Sequence, residues 1–138
     1  MCIRDRNVQK NLIAHIEAHP EVTFELFFPP FNILNYVMME DTSFKEYLES
    51  KRKLCGLLVG YKNCRLYDME SVEAITHLDE QYCDLQHYSI VGNRMILDAI
   101  KRGDCLASSE AVEESLRVLQ EHRTERGNTS MQSNAPLT

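Results

Sequence analysis

The sequence predicts an α/β domain built around a parallel sheet. Helical and strand-like segments alternate along its 138 residues. A run of aromatic and branched residues, 22–28, stops at Pro29 and Pro30, which is typical of a buried parallel strand. A hydrophobic content of 43% with 26% charged residues fits one core-forming domain.

The first two predicted elements are an amphipathic helix and this strand. Between residues 7 and 18 apolar side chains recur at helical spacing, and the pattern ends at His19-Pro20 because the residue before proline disfavours helix. The strand over residues 22–28 follows, with Phe24, Phe27 and Phe28 expected in the interior.

The next predicted elements are a loop, a helix and a second strand. The loop carries Asn32, Asn35 and Tyr36. Ser43 and Glu46 have the spacing of a capping box, which predicts a helix over residues 44–60. Its predicted exposed face carries Lys45, Glu49, Lys51 and Arg52. A short strand over residues 63–69 follows, and a strand–helix–strand order builds a parallel pair.

The last third of the chain is predicted to be mainly helical. Residues 70–83 form a short helical turn and a loop. Ser89 caps a helix that Gly103 closes, and a further helix starts near Ser108 or Ser109. We expect residues 1–6, which resemble translated adapter sequence, to be a non-native leader, residues 7–125 to form the domain, and residues 126–138 to be a disordered tail.

Charge and cysteine content exclude several classes of function. The formal charge is −6, from 15 basic and 21 acidic residues, and no basic cluster with interleaved aromatic residues suggests nucleic-acid binding. No apolar run approaches the roughly 20 residues of a membrane helix. The five cysteines form no CxxC or zinc pattern, so we expect free, mostly buried thiols and no metal or cofactor.

Asp84 and His87 are the one candidate pair for catalysis. An acid three residues before a histidine can orient the imidazole and leave its other nitrogen free as a general base. The loop before them should bring the pair to the carboxyl ends of the strands, where ligands of parallel sheets bind. A metal site that adds His77 and Asp79 fits no compact ligand motif.

Three segments resemble the C-terminal portion of an SGNH-hydrolase-like protein of the GDSL-type esterase and acyltransferase superfamily. They are residues 27–34, Leu66-Tyr67-Asp68, and residues 82–88 with Asn93 in the next helix. The resemblance covers residues 7–125. It implies a flavodoxin-like three-layer α/β/α sandwich, ester hydrolysis or O-acyl transfer, often on cell-envelope polysaccharides, and an extracytoplasmic, membrane-tethered parent protein.

Within this resemblance, Asp84 matches the acid of the triad and His87 its base. The family's serine ends the first strand, and no serine of this chain lies in such a place. We therefore expect a fragment truncated at its N-terminus, without the first strand and the nucleophile, and inactive by itself. Asn32 and Asn35 are candidate hydrogen-bond donors to an oxyanion, and Tyr88 is a candidate pocket residue.

A second reading of the sequence stays open. The chain would then be a non-catalytic α/β module that binds a partner or a carbohydrate, with Asp84 and His87 retained for structural reasons. Neither the substrate nor the oligomeric state follows from these residues.

Overall fold

Two parallel strands, β1 (Phe24–Phe28) and β2 (Cys64–Asp68), form the sheet of the protein. A computed structural model describes residues 7–133, with side chains as far as residue 129. The register places Phe28 beside Asp68, so the carboxyl ends of both strands lie at the same edge. The predicted α/β class and the parallel pairing are confirmed, whereas the expected leader over residues 1–6 lies outside the described residues.

Helices connect and flank these strands. A π-helical stretch, Gln9–Ile13, continues into α1 (Ala14–Ala18), which ends before His19-Pro20 as predicted. The other helices are α2 (Ile33–Val37), α3 (Asp41–Leu58), α4 (Glu73–Thr76), α5 (Ile90–Arg102) and α6 (Ser109–Ser133), with a 3-10 turn at Asp79–Gln81.

Helices pack on both faces of β2. Consecutive strand residues point to opposite faces, and Leu66 and Tyr67 accordingly belong to two different apolar clusters. The larger cluster joins Leu66 to buried side chains of α1, α3 and α6. The smaller one joins Tyr67 to Ile96 and Ala99 of α5.

The face of β1 that adjoins α5 is much more open than the sequence suggests. Phe27 was expected in the interior, yet the residue is 40% exposed, while Phe24 and Phe28 are half-buried. Phe27 pairs in register with Tyr67, and α5 packs over Tyr67. Among the described residues, β2 is the one strand that pairs with β1, so the other edge of β1 is unpaired. The helical layer on this face covers Tyr67 of β2 but leaves Phe27 of β1 partly open to solvent.

A short segment after α5 lies along the other edge of β2. Leu106 forms an antiparallel bridge with Tyr67, and the amide of Asp68 donates to the carbonyl of Cys105 at 2.9 Å. The chain reaches this place through a left-handed C-cap at Gly103, with φ of 74°. Ser89 and Gly103 thus bound α5 as predicted, and β2 has neighbours on both sides.

Two local predictions around α2 and α3 were wrong. The predicted loop at Asn32 forms α2 instead, because the side-chain oxygen of Asn32 caps its first turn by accepting from the amide of Leu34 at 2.8 Å. Helix α3 begins at Asp41, so Ser43 and Glu46 lie inside the helix and form no capping box.

Helix α6 extends further than predicted. It continues to Ser133, so residues 126–133, assigned from composition to a disordered tail, are helical. Arg126 of this stretch donates to a carboxylate oxygen of Asp79 at 2.7 Å, a contact that no local pattern reports. Residues 134–138 lie outside the described part of the chain.

The thiols divide evenly between interior and surface. Cys55 and Cys64 are buried as expected, whereas Cys83 and Cys105 are exposed, and all four are free; Cys2 is outside the described range. None of the described helices is both long and apolar enough to cross a membrane.

Candidate functional site

Asp84 and His87 lie on a tightly closed loop between the 3-10 turn and α5. Tyr82 and Tyr88 form an antiparallel bridge across the base of the loop, and their rings pack edge to face with 6.3 Å between centroids. Above this bridge the amide of Cys83 donates to the carbonyl of His87 at 2.8 Å. The loop therefore has a defined shape of its own.

The two side chains are in direct contact, as the sequence predicts for an orienting pair. Nδ1 of His87 lies 2.6 Å from Oδ2 of Asp84. The other oxygen of Asp84 accepts from the amides of Gln86 and His87, both at 2.7 Å. The bond to His87, followed by these two backbone bonds, lowers the pKa of Asp84 to about 2.

This geometry leaves the second ring nitrogen of His87 available. The side chain is 77% exposed, and Nδ1 is the nitrogen that faces the carboxylate. A carboxylate bonded to Nδ1 favours the tautomer in which Nε2 carries a lone pair. The pair can accept a proton at Nε2 and stabilise the resulting imidazolium.

The loop is attached to the chain that follows β1 through contacts between distant residues. The amide of Asn32 donates to the carbonyl of Leu85 at 3.0 Å. The hydroxyl of Tyr82 donates to the carbonyl of Pro30 at 2.8 Å. These bonds fix the pair beside the carboxyl end of β1, where the strand order predicts a site.

An open cleft of about 410 Å³ lies next to the pair. Among the described residues, Pro29, Phe31, Gln86, His87, Tyr88 and Asn93 line it. Tyr88, predicted as a pocket residue, is therefore in the cleft. The wall combines aromatic rings and amide groups with the imidazole of His87.

Asn32 and Asn35 are close to the loop but are not among the residues that line the cleft. The amide nitrogen of Asn32 donates to Oδ1 of Asp79 at 2.9 Å, and its oxygen accepts from the amide of Leu34. The side-chain oxygen of Asn35 accepts from Gln86 at 3.3 Å. A role of either amide at an oxyanion stays a prediction.

No hydroxyl within the described residues serves as a nucleophile partner of His87. Its imidazole bonds to Asp84. Ser89 is the serine nearest in sequence, but its hydroxyl donates to Gln81 at 2.6 Å and accepts from the amide of Val91. Over the described part of the chain, no three His, Cys, Asp or Glu side chains are grouped so that they could hold a metal ion.

A second cluster of polar residues was missed from the sequence, and it is buried. Lys51 was placed on the exposed face of its helix, yet the residue is only 2% exposed. Its Nζ lies 2.8 Å from Oδ1 of Asp68 and 2.6 Å from Oε2 of Glu70, and 5.2 Å from the ring centroid of Phe28. The cluster thus sits at the carboxyl end of both strands.

Two tyrosines complete this buried cluster. The hydroxyls of Tyr36 and Tyr47 both donate to Oε1 of Glu70, the former at 2.7 Å. Burial and the charge of Glu70 raise the pKa of both phenols. Burial lowers the pKa of Lys51, but the charges of Glu70 and Asp68 outweigh it, so that the pKa is raised overall and the side chain stays cationic.

The sequence does contain a signal for Lys51. The buried residues of α3 are Phe44, Leu48, Lys51, Cys55 and Leu58, which are separated by three or four positions. Lys51 therefore falls on the apolar stripe of its helix. A charge on such a stripe requires a partner of opposite charge in the interior.

Comparisons with known proteins add no relative to this description. No family model matched the sequence, and no curated protein or solved structure matched it significantly.

Proposed function

We propose that Asp84 and His87 form the acid–base part of a catalytic site for acyl esters, in a serine hydrolase or O-acyltransferase of the SGNH type. The observation that supports this best is the 2.6 Å contact between Nδ1 of His87 and Oδ2 of Asp84, made by an exposed imidazole at the wall of a cleft. A histidine held in this way is the general base of serine hydrolases.

In the proposed reaction, Nε2 of His87 takes the proton from a serine hydroxyl while the serine oxygen attacks the acyl carbon. The tetrahedral intermediate expels the alcohol, which leaves with the proton from His87, and the acyl group stays on the serine. Water or a second hydroxyl then takes the acyl group by the reverse sequence. Asp84 stabilises the imidazolium that forms in both halves of the reaction.

The serine would come from a part of the natural protein outside this sequence. In support, no described hydroxyl bonds to His87, and the pair lies beside the end of a parallel strand that has an open edge among the described residues. Helices on both faces of β2 agree with a partial three-layer sandwich. Ester groups of cell-envelope polysaccharides are the substrate class that the family resemblance suggests.

The composition of the cleft supports an uncharged substrate. Phe31 and Tyr88 offer apolar ring surface, and Gln86 and Asn93 offer amide groups. Rings of this kind pack well against the C–H faces of sugars and short acyl chains. The described wall includes no arginine or lysine that would attract a carboxylate or phosphate.

The alternative is a non-catalytic α/β module that binds a partner or carbohydrate in the same cleft. It is favoured by one observation, that the serine hydroxyl nearest to the loop in sequence, that of Ser89, is already bonded to Gln81 and to the first turn of α5. In that case Asp84 mainly fixes the loop through the amides of Gln86 and His87.

The deciding experiment starts from the longer open reading frame. The extended protein is assayed with a chromogenic acetate ester, alongside His87→Ala and Asp84→Asn. We expect His87→Ala to reduce kcat by about 10⁴- to 10⁶-fold and Asp84→Asn by about 10⁴-fold, since triad members act as a unit.

His15→Ala is the matched control, because His15 is an exposed histidine on α1. Its hydrolysis should equal that of the parent protein. Undiminished hydrolysis by His87→Ala would exclude the proposed role of the pair. Absence of any serine-dependent hydrolysis in the extended protein would favour the binding module.

A further inference from the structure

Asn32 connects three segments around the loop that carries Asp84 and His87. Its amide donates to the carbonyl of Leu85 inside the loop at 3.0 Å. Its side-chain nitrogen donates to Oδ1 of Asp79 at 2.9 Å, at the first residue of the 3-10 turn that leads into the loop. The residue is only 2% exposed, so water competes little for these bonds.

Asn32 is itself held rigidly. Its side-chain oxygen accepts from the amide of Leu34 at 2.8 Å and caps α2. The other carboxylate oxygen of Asp79, Oδ2, accepts from Arg126 of α6 at 2.7 Å. A hydrogen bond between an amide and an ionised carboxylate is stronger than one between neutral groups. The bond between Asn32 and Asp79 therefore ties the loop to two helices.

The position of Asn32 argues against direct contact with substrate. It is not among the described residues that line the cleft, and both its side-chain oxygen and its nitrogen have partners inside the protein. A buried side-chain amide whose oxygen and nitrogen are both bonded inside the protein can hold the loop in place. It has no free N–H directed at the cleft to donate to the oxygen of a substrate.

We infer that Asn32 and Asp79 form a positioning couple that fixes the loop, and with it His87, at the edge of the cleft. The effect on catalysis rests on the proposed function. The positioning itself is a property of this 138-residue chain and can be measured on it directly.

The first measurement is amide hydrogen exchange at residue 32, whose N–H donates to Leu85. Asp79→Ala removes the acceptor of Asn32 and should speed this exchange about five-fold, the effect of losing one ordinary hydrogen bond on local opening. Asp79→Asn keeps an oxygen acceptor and should restore most of the protection. Unchanged exchange in Asp79→Ala would overturn the inference.

Asp98→Ala is the matched control, because Asp98 belongs to an exposed ion pair with Lys101 on α5, at 3.9 Å. Its exchange at residue 32 should equal that of the parent chain. Asn32→Ser is a second variant that still caps α2, since serine is a good N-cap. It should reproduce the faster exchange of Asp79→Ala, and normal protection in it would contradict the inference.

The second measurement uses ester hydrolysis by the extended protein. Asn32→Ser, Asp79→Ala and the double variant should each lower kcat about ten-fold with KM within two-fold, because the two residues act through one bond. If Asn32 were an oxyanion donor, Asn32→Ser alone would lose about 10²- to 10³-fold. If Asn32→Ser showed this loss while Asp79→Ala kept a normal kcat, the inference would be overturned, and Asn32 would be assigned to the oxyanion.

The two failures can be told apart. If His87→Ala hydrolyses the ester normally, the proposed function is wrong, and the exchange data on the 138-residue chain still decide whether Asn32 and Asp79 hold the loop. If exchange is unchanged while His87→Ala is inactive, the positioning couple is wrong and the proposed function stands.

Discussion

Nζ of Lys51 lies 2.6 Å from Oε2 of Glu70, and 1% of each side chain is exposed. A charge removed from water in this way loses several kcal/mol of hydration, which only close partners of opposite charge and hydrogen bonds offset. Glu70 also accepts from Tyr36 and Tyr47, and Lys51 also bonds to Asp68. The interior therefore holds a network of mutually paired groups, in which Oδ2 of Asp68 has no hydrogen-bond partner among the described residues.

Lys51→Met should destabilise the protein by about 3–5 kcal/mol, because two buried carboxyl groups would lose their cation while the apolar part of the side chain is kept. The free energy of unfolding from urea denaturation measures this. Lys53→Met is the control, since Lys53 is exposed on the same helix and should change stability by less than about 0.5 kcal/mol.

The cause of that loss can be tested with a compensated variant. Lys51→Met combined with Asp68→Asn and Glu70→Gln leaves no charge in the cluster, and it should recover part of the lost stability because an uncompensated buried charge is the main cost. If the combined variant is less stable than Lys51→Met, the hydrogen bonds of the carboxyl groups matter more than their charge.

Replacement of His87 should change the titration of Asp84. The pKa of Asp84 is about 2, below the ordinary 3.8, first because of the bond from His87 and then because of the amides of Gln86 and His87. His87→Ala removes only the side-chain bond, so the pKa should rise part of the way to 3.8. Carboxyl ¹³C shifts followed against pH measure it, and His15→Ala should leave the pKa unchanged.

The same shift fixes the sign of a pH effect on stability. A carboxyl group whose pKa is lower in the folded state stabilises the fold above its unfolded pKa, near 4, and the contribution disappears as pH falls toward 2. Between pH 4 and pH 2 the parent chain should therefore lose more stability than His87→Ala. Equal losses would mean that the contact in solution is weaker than the 2.6 Å distance indicates.

Local signals made part of the fold predictable. The cap at Ser89, the left-handed turn at Gly103 and the spacing of Asp84 and His87 all lie within a few residues of the structure they determine. The two strands were also recognisable. Each is a short run of β-branched, aromatic or aliphatic residues that ends at prolines or polar residues, and such a run can be read from the local sequence alone.

The features that were missed depend on residues far apart in sequence. Asn32 and Asp79 are 47 positions apart, and Tyr82 bonds to Pro30 over 52 positions. The burial of Lys51 was partly readable from its place on the apolar stripe of α3, but its partners were not. The exposure of Phe27 depends on how many strands the sheet contains. The sequence of β1 does not indicate that number.

Tyr82→Phe should loosen the loop, since it removes the hydroxyl group and keeps the aromatic ring. The hydroxyl of Tyr82 donates to the carbonyl of Pro30 at 2.8 Å, and burial, then the electrostatic effect of the nearby Tyr88, raises the pKa of this phenol to about 12. Loss of one such bond should cost about 1 kcal/mol, measured by urea denaturation. Tyr61→Phe removes an exposed bond of the same length to Glu17 and should cost much less. Equal costs would show that the Tyr82 hydroxyl contributes nothing specific to the loop.

Arg123 of α6 holds the junction between α2 and α3, and its replacement should separate these elements. Its guanidinium donates to the carbonyls of Tyr36 at 2.8 Å and Met39 at 2.7 Å and lies 4.5 Å from the ring centroid of Phe44. Tyr36 belongs to the last turn of α2, and Met39 lies between α2 and α3. A planar cation that bonds to both carbonyls therefore stabilises the junction of the two helices.

Arg123→Ala should therefore cost about 2–4 kcal/mol, combining charged hydrogen bonds with a cation–π contact. Arg123→Lys should recover less than half of this, because an ammonium group cannot reach both carbonyls and stack on the ring at once. Arg117→Ala is the control on the same helix: Arg117 forms only exposed pairs with Glu114 and Glu121, which are worth roughly 0–1 kcal/mol. If urea denaturation gave equal losses for Arg123→Ala and Arg117→Ala, the bonds to Tyr36 and Met39 would not be what attaches α6 to the rest of the fold.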